Sequence, residues 1–178
     1  GWFSKDSIGS GTPFVLYWPT TIDSKFVKEI VNIDNKSIEI TPTNQMNLSP
    51  HKFTFDKPEI LPYESDEKQE IFFGRLVGAR SGDKGGCANL GVWVKTDDAY
   101  SFLFHYLTVD KLKELLKDLE QYDIERYDFP NVRAVNFYIH GILGDGASSN
   151  TKVDALAKSL GEYLRAKKVS IPKQLIED

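Results

Sequence analysis

The sequence predicts an α+β fold in which an antiparallel or mixed sheet carries helices on one face, preceded by a small β-rich segment. The second half of the chain follows the order β-β-α-α-β-β-α, and strands that run together before a helix intervenes are not typical of a doubly wound fold. The first half shows short strands, four prolines between residues 42 and 62, and no predicted helix. We therefore expect a β-hairpin-rich segment with an acidic linker over residues 1–69 and a compact domain over residues 70–178.

Composition limits the classes of partner. Of the 178 residues, 40% are hydrophobic and 27% are charged, which is typical of a globular protein. The net charge of −4 provides no basic field, so we expect no nucleic-acid partner. No apolar run approaches the roughly 20 residues that span a bilayer, so we expect no membrane partner. A single cysteine, Cys87, excludes an internal disulfide framework and fits a reducing, cytoplasmic location.

The elements of the first half are predicted from short apolar runs and turn residues. Asp34-Asn35 tolerate left-handed conformations and indicate a tight β-hairpin between residues 26–33 and 36–40. Further short strands are predicted at Phe14–Trp18 and Phe53–Phe55, and Glu64–Glu70 is predicted to be a solvated linker. The chain begins without an initiator Met, which indicates a tag remnant, a processed end or a fragment.

The second half is predicted from periodicity and capping residues. Apolar spacing indicates helices beginning at Asp97-Asp98, at a Thr108 cap, and at Thr151, where Asp154 completes a capping box. The third helix is expected to carry Lys167 and Lys168 in its last turn. Strands are expected at residues 71–77, 90–94, 122–129 and 132–140, the last of them central.

A glycine-rich stretch from Ala79 to Val92 gathers most of the candidate chemistry. It places Arg80 and Lys84 beside glycines that can adopt positive φ angles. Successive backbone N–H groups in such a loop form a concave anion site, which neighbouring cations strengthen. A hairpin whose polar tip faces water is the alternative. The predicted ligand-binding residues are Arg80, Ser81, Gly82, Lys84, Gly85, Gly86 and Asn89.

Two residues are candidates for acid–base catalysis. His140 ends a strand on which Asn136 and Tyr138 share its face, and an imidazole there can act as a general acid or base near neutral pH. A hydrogen-bonded structural histidine is the alternative. Asp83 is either an acid–base partner of Lys84 or a turn residue. If an anion binds nearby, we expect Asp83 to orient a cation or the loop backbone, because its carboxylate would repel the ligand.

The remaining chemistry gives little signal. His51 and His105 are isolated from any cluster of carboxylates or thiols, so we expect no metal site, and no cofactor motif is present. Cys87 has no assigned histidine partner and is expected to be a small core residue. A second glycine-rich loop, residues 141–150, follows the strand that ends in His140. It would line one cleft with the first loop if the two strands are neighbours.

Several linked motifs resemble one family. Ala79-Arg-Ser-Gly-Asp-Lys-Gly-Gly86, Glu125–Asn131 and Gly161–Arg165, in this order, resemble the C-terminal domain of the acyclic terpene utilisation (AtuA-like) family, over roughly residues 70–176. The resemblance implies a ferredoxin-like α/β sandwich and an association with the breakdown of acyclic terpenoids through acyl-CoA intermediates. Leu16-Tyr17-Trp18-Pro19 also resembles the tail of the large domain that precedes this one in longer members.

Two hypotheses of function follow from the motifs and the resemblance. The first is an accessory or assembly domain that binds a preceding large domain or a sister copy, with the glycine-rich loop at the contact. The second is an enzyme, or part of one, acting on a carboxylate or acyl-CoA, with Arg80 and Lys84 as anion ligands and His140 as acid or base. We favour the first because no complete set of acid, base and nucleophile is evident.

Overall fold

The computed structural model describes residues 15, 16, 18–40 and 59–176. The chain divides into two compact units, one formed by Trp18–Lys57 and the other by Gly1–Tyr17 together with Pro58–Asp178. The expected boundary between residues 69 and 70 stays a prediction. The strand expected at Phe53–Phe55 lies outside the described residues.

The unit that begins at Trp18 contains the predicted hairpin, which is confirmed. Strand β1 (Glu29–Ile33) pairs antiparallel with β2 (Lys36–Ile40). Asp34 and Asn35 form the two-residue turn with φ angles of 49° and 59°, the conformation that matches the twist of paired strands. A strand was also expected over Phe14–Trp18. Within the described residues this prediction is wrong, because residues 15, 16 and 18 have no strand conformation.

The described part of the larger unit has two antiparallel sheets. Strands β4 (Gly78–Lys84), β5 (Cys87–Trp93), β6 (Ile124–Phe129) and β7 (Ala134–Ile139) form a four-stranded sheet in the order β4-β5-β7-β6. Strands β3 (Lys68–Phe72) and β8 (Lys168–Pro172) form a separate pair. The fold is the expected α+β, two-layer ferredoxin-like sandwich, and β7 is an interior strand as predicted. Lys68–Glu70, expected in a linker, instead pair with β8, and residues 73–75, expected in a strand, form a 3₁₀ turn.

One face of the four-stranded sheet packs on helices and forms the core. Helix α1 (Asp97–Tyr106) begins after an N-cap at Thr96, and α2 (Val109–Leu115) begins after the predicted cap at Thr108. Alternation along β7 puts Val135, Phe137 and Ile139 into this core. The residues of α1 and α2 that are fully buried with them are Leu103 and Leu112.

The third predicted helix is much shorter than expected. Helix α3 spans only Leu160–Arg165, so the capping box predicted at Thr151 is wrong. The Asp154 carboxylate accepts the backbone amides of Lys158 and Ser159 instead, and Ala157 takes a left-handed φ of 50°, which interrupts a helix. The lysines expected in its last turn lie beyond it, and Lys168 begins β8.

No helix within residues 18–40 and 59–176 is both long enough and apolar enough to cross a membrane.

Candidate functional site

The glycine-rich stretch forms a β-hairpin rather than an open loop. Register pairs Arg80 with Gly91, Gly82 with Asn89, and Lys84 with Cys87, so strand conformation continues to the turn itself. Only Gly85 takes a positive φ, of 63°. The loop expected over the whole stretch is therefore reduced to a two-residue turn, because β5 extends to Cys87 and pairs with all of β4.

The turn of this hairpin contacts the second glycine-rich loop, as expected if the strands are neighbours. The Leu143 amide donates a 2.8 Å hydrogen bond to the Gly86 carbonyl. A Cβ atom at Gly86 would lie 2.1 Å from the carbonyl oxygen of Gly144, so only glycine fits there. Gly86 thus allows the close approach of the two loops, a structural role that the composition of the sequence did not reveal.

Alternation along β4 separates the predicted ligands into two groups. Arg80, Gly82 and Lys84 point to the sheet face opposite α1 and α2, which we call the open face. Ser81 points to the other side and is 5% exposed. Its hydroxyl oxygen accepts a 3.1 Å hydrogen bond from the amide of Gly161. The structure therefore does not bring Ser81 together with the other predicted ligands.

A third cation, Lys158, lies between Arg80 and Lys84. Its Nζ occupies the space beside Gly82, 2.7 Å from where a Cβ would stand. Gly82 is midway between Arg80 and Lys84 along β4, and we call Arg80, Lys158 and Lys84 together the cation row. Arg80 and Lys84 are four residues apart in a strand, or about 13 Å. The sequence offered no signal for Lys158, because its position depends on the irregular segment that replaces the predicted helix.

The loop that carries Lys158 is held by Asp154. One carboxylate oxygen accepts the Lys158 amide at 2.8 Å, and the other accepts the Ser159 amide at 2.8 Å and its hydroxyl at 2.6 Å. Burial pushes the pKa of Asp154 upward, but the hydrogen bonds from Ser159 and Lys158 outweigh it, and the pKa lies below its ordinary value. The ionised carboxylate therefore fixes the backbone from which Lys158 reaches the open face.

Asp83 lies beside the cation row. Its Oδ1 is 3.9 Å from Lys158 Nζ, and its backbone carbonyl accepts a 3.0 Å hydrogen bond from Lys84 Nζ. The cation facing the carboxylate is therefore Lys158, not Arg80 or Lys84, and the role of Asp83 in orienting a cation beside a ligand stays a prediction. Both pairs of atoms lie at a partly exposed surface, so the Asp83–Lys158 ion pair contributes little to stability.

The centre of the open face is polar. Asn89 lies across from Gly82 and donates a 3.2 Å hydrogen bond from Nδ2 to Asn136 Oδ1. A Cβ at Gly82 would lie 4.0 Å from Asn89 Oδ1, so this amide borders the position of Lys158 Nζ. The predicted ligand Asn89 therefore lies next to the middle of the cation row.

The structure gives His140 a carboxylate partner on the open face. Its Nε2 lies 2.6 Å from Glu125 Oε1, and the Tyr127 hydroxyl donates to the other oxygen of Glu125. The hydrogen bond from Tyr127 lowers the pKa of Glu125 most, followed by that from His140. The Tyr138 ring meets the imidazole edge to face at 4.8 Å between centroids. Glu125 and Tyr127 were not predicted as site residues although both lie in the Glu125–Asn131 motif, and their alternate spacing on β6 places them on one face.

Cys87 lies beside this pair instead of in the core. Continuing the register of β5 and β7 places it opposite His140, and it is partly exposed. Its Sγ accepts a hydrogen bond of 3.5 Å from the Gly141 amide. A hydrogen bond to Cys87 is also the largest cause of the raised pKa of Tyr138. The expectation of a small core residue is thus wrong, because Cys87 alternates with the buried Ala88.

Among residues 18–40 and 59–176, no three His, Cys, Asp or Glu side chains are placed to hold a metal ion. His105 is tied to the Ile60 carbonyl oxygen at 2.7 Å, and His51 lies outside the described residues.

A family model described as the AtuA ferredoxin-like domain matches residues 72–170, more than half of the chain. The chain belongs to this family. The AtuA ferredoxin-like domain runs from the end of β3 into β8 and contains the cation row, Asn89, Glu125 and His140. The match confirms the resemblance and supports an AtuA-family accessory domain. No curated protein and no solved structure matches the chain.

Proposed function

We propose that this AtuA ferredoxin-like domain is an accessory domain in the breakdown of acyclic terpenoids through acyl-CoA intermediates, and that its cation row binds the anionic part of an acyl-CoA. The observation that carries the proposal is the position of Lys158 Nζ over Gly82, between Arg80 and Lys84. Three cations along one strand repel one another unless an anion lies between them.

The balance of charge along β4 supports an anionic ligand. Asp83 is the carboxylate that contacts the row within the described residues, and its 3.9 Å separation from Lys158 is a weak contact. The ionised Asp154 also attracts Lys158 electrostatically, so three cations face two carboxylates and one positive charge is left uncompensated. Arg80 and Lys84 are exposed and can form charge-assisted hydrogen bonds, which favour carboxylate and phosphate oxygens.

The length of the row favours several phosphates over a single carboxylate. Arg80 and Lys84 are about 13 Å apart along the strand, with Lys158 between them. A simple carboxylate offers two oxygens at one point, whereas the phosphates of a CoA ester are spread along the molecule. We therefore expect CoA and acetyl-CoA to bind more tightly than acetate.

Calorimetric titration of CoA, acetyl-CoA and acetate tests this. Replacing one cation, as in Lys158→Ala or Arg80→Ala, removes a charge-assisted hydrogen bond of about 1.5–3 kcal/mol and weakens binding roughly ten- to a hundredfold. Lys117→Ala, at an exposed position on the 3₁₀ turn that follows α2, is the matched control and leaves binding unchanged. A wild-type chain that binds none of the three, or three variants that bind equally, would contradict the proposal.

Gly82→Ala provides a second test that leaves every charge in place. The added methyl group collides only with the flexible end of Lys158, so it displaces this ammonium without straining the backbone. We expect weaker CoA binding with little change in the free energy of unfolding. Unchanged binding would show that the position of Lys158 does not matter.

The His140–Glu125 pair favours a second candidate, an enzyme acting on a bound carboxylate or acyl-CoA. A carboxylate that holds one imidazole nitrogen fixes the ring and leaves Nδ1 to exchange a proton. Lys84 pairs with Cys87, the residue opposite His140, so the imidazole is two strands, or about 10 Å, from the cation row. If the domain is an enzyme, His140→Ala reduces turnover of the acyl-CoA and leaves the affinity for CoA unchanged. If the domain is only an accessory domain, the wild type itself shows no turnover.

A further inference from the structure

The hairpin of β1 and β2 has one apolar face. Register pairs Val31 directly with Ile38, and alternation adds Ile33 and Ile40 to the same side. These four side chains are between 36% and 57% exposed. Directly opposed aliphatic residues on one side of a hairpin are the pattern of a strand pair that packs against another surface.

The opposite face of the hairpin is polar. Asn32 and Ser37 are a cross-strand pair, and the Ser37 hydroxyl donates a 2.6 Å hydrogen bond to Asn32 Oδ1. Ile30, 54% exposed, is paired with Glu39 on this face. The two faces thus differ in character although both are exposed.

The ends of the apolar face carry opposite charges. Glu29 is paired with Ile40 at one end, and Lys36 is paired with Ile33 at the other. If two such faces meet with their strands antiparallel, the Glu29 end of each hairpin lies over the Lys36 end of its partner. A two-fold contact requires a surface that complements itself, and this arrangement of charges does so.

We propose that the apolar face of the β1–β2 hairpin binds the same face of a second copy of the chain. Face-to-face packing of two strand pairs, about 10 Å apart, covers Val31, Ile33, Ile38 and Ile40 of both copies. This proposal uses a surface separate from the cation row and does not depend on anion binding.

Sedimentation velocity of the full 178-residue chain tests the apolar contact. The wild type forms a concentration-dependent dimer. Ile38→Lys puts a charge into the centre of the contact and weakens dimerisation by at least about tenfold, since a buried aliphatic side chain is lost from it. Ile30→Lys, the same change on the polar face, leaves the dimer intact. A monomeric wild type, or equal effects of the two variants, would overturn the proposal.

Exchanging the charges at the two ends tests whether the partner is a second copy. It also shows that the variants are folded, because misfolded chains would not associate when they are mixed. Glu29→Lys and Lys36→Glu each place like charges at both ends of their own dimer, so each variant alone dimerises more weakly than the wild type. An equimolar mixture of the two variants restores opposite charges at both ends and forms a heterodimer. If the mixture associates no better than the separate variants, the proposed antiparallel contact is wrong.

Discussion

The amide of Gly161 donates a 3.1 Å hydrogen bond to the buried hydroxyl oxygen of Ser81, which joins the start of α3 to the edge strand β4. Glycine at position 161 favours this close approach, because a Cβ there would lie 3.2 Å from the backbone carbon of Ala79. The close packing of α3 on β4 also determines where the preceding segment, with Lys158, crosses the strand.

Ser81→Ala tests whether Ser81 is structural or a ligand. Removing the hydroxyl leaves the buried Gly161 amide without its acceptor, so we expect a loss of about 1–3 kcal/mol in the free energy of unfolding, measured by urea denaturation. Affinity for CoA stays within error of the wild type. Unchanged stability together with a lost affinity for CoA would show instead that Ser81 contacts the bound CoA.

Gly85 and Gly86 provide a paired test of the hairpin turn. Gly86→Ala forces a methyl group against the rigid carbonyl of Gly144, and we expect a cost of about 1–3 kcal/mol or more. Gly85 needs only a left-handed conformation, so Gly85→Asn is tolerated with a much smaller loss of stability. Thermal unfolding of both variants measures the difference, and an equal loss would show that the two loops do not meet at Gly86.

Local signals predicted several elements correctly. Asp34-Asn35 fix a hairpin through their own conformational preference, and Thr108 caps α2 with its own hydroxyl. The position of Lys158 could not be predicted in this way. The apolar spacing from Val153 to Leu164 is helical, but tertiary contacts around Asp154 and Ala157 override it, and the open face that results depends on pairing between distant strands.

The pKa of Glu125 tests the hydrogen bonds that this carboxylate forms with Tyr127 and His140. Hydrogen bonds to Tyr127 and His140 lower this pKa, so the folded state favours the ionised carboxylate. Its contribution to stability is present above the ordinary value of 4.5 and is lost as pH falls through the lower, folded pKa. Tyr127→Phe removes the largest cause, and NMR titration should show the Glu125 pKa rising toward 4.5. The pKa of Asp154 is lowered by Ser159 and Lys158 and serves as the control, which should not change. An unchanged Glu125 pKa would show that the Tyr127 hydroxyl is not its main hydrogen-bond partner.

Asp154→Ala tests how Lys158 is held. The substitution removes the acceptor of the Lys158 and Ser159 amides and of the Ser159 hydroxyl, so the loop loses its fixed path to Gly82. We expect a loss of about 1–3 kcal/mol in stability and a weaker affinity for CoA, although Asp154 contacts no ligand.

Ser159→Ala is the matched control for this change, since it removes only the side-chain hydrogen bond to Asp154 and keeps both backbone bonds. Its effect on stability should be smaller, and its effect on CoA affinity negligible. The pKa of Asp154 is lower in the folded state than its ordinary value of 3.8. The stability that the ionised carboxylate contributes is therefore present above pH 3.8 and is lost as pH falls through the folded pKa. The difference in stability between wild type and Asp154→Ala should therefore shrink below that pH. A difference independent of pH would show that the ionised carboxylate is not what holds Lys158 over the sheet.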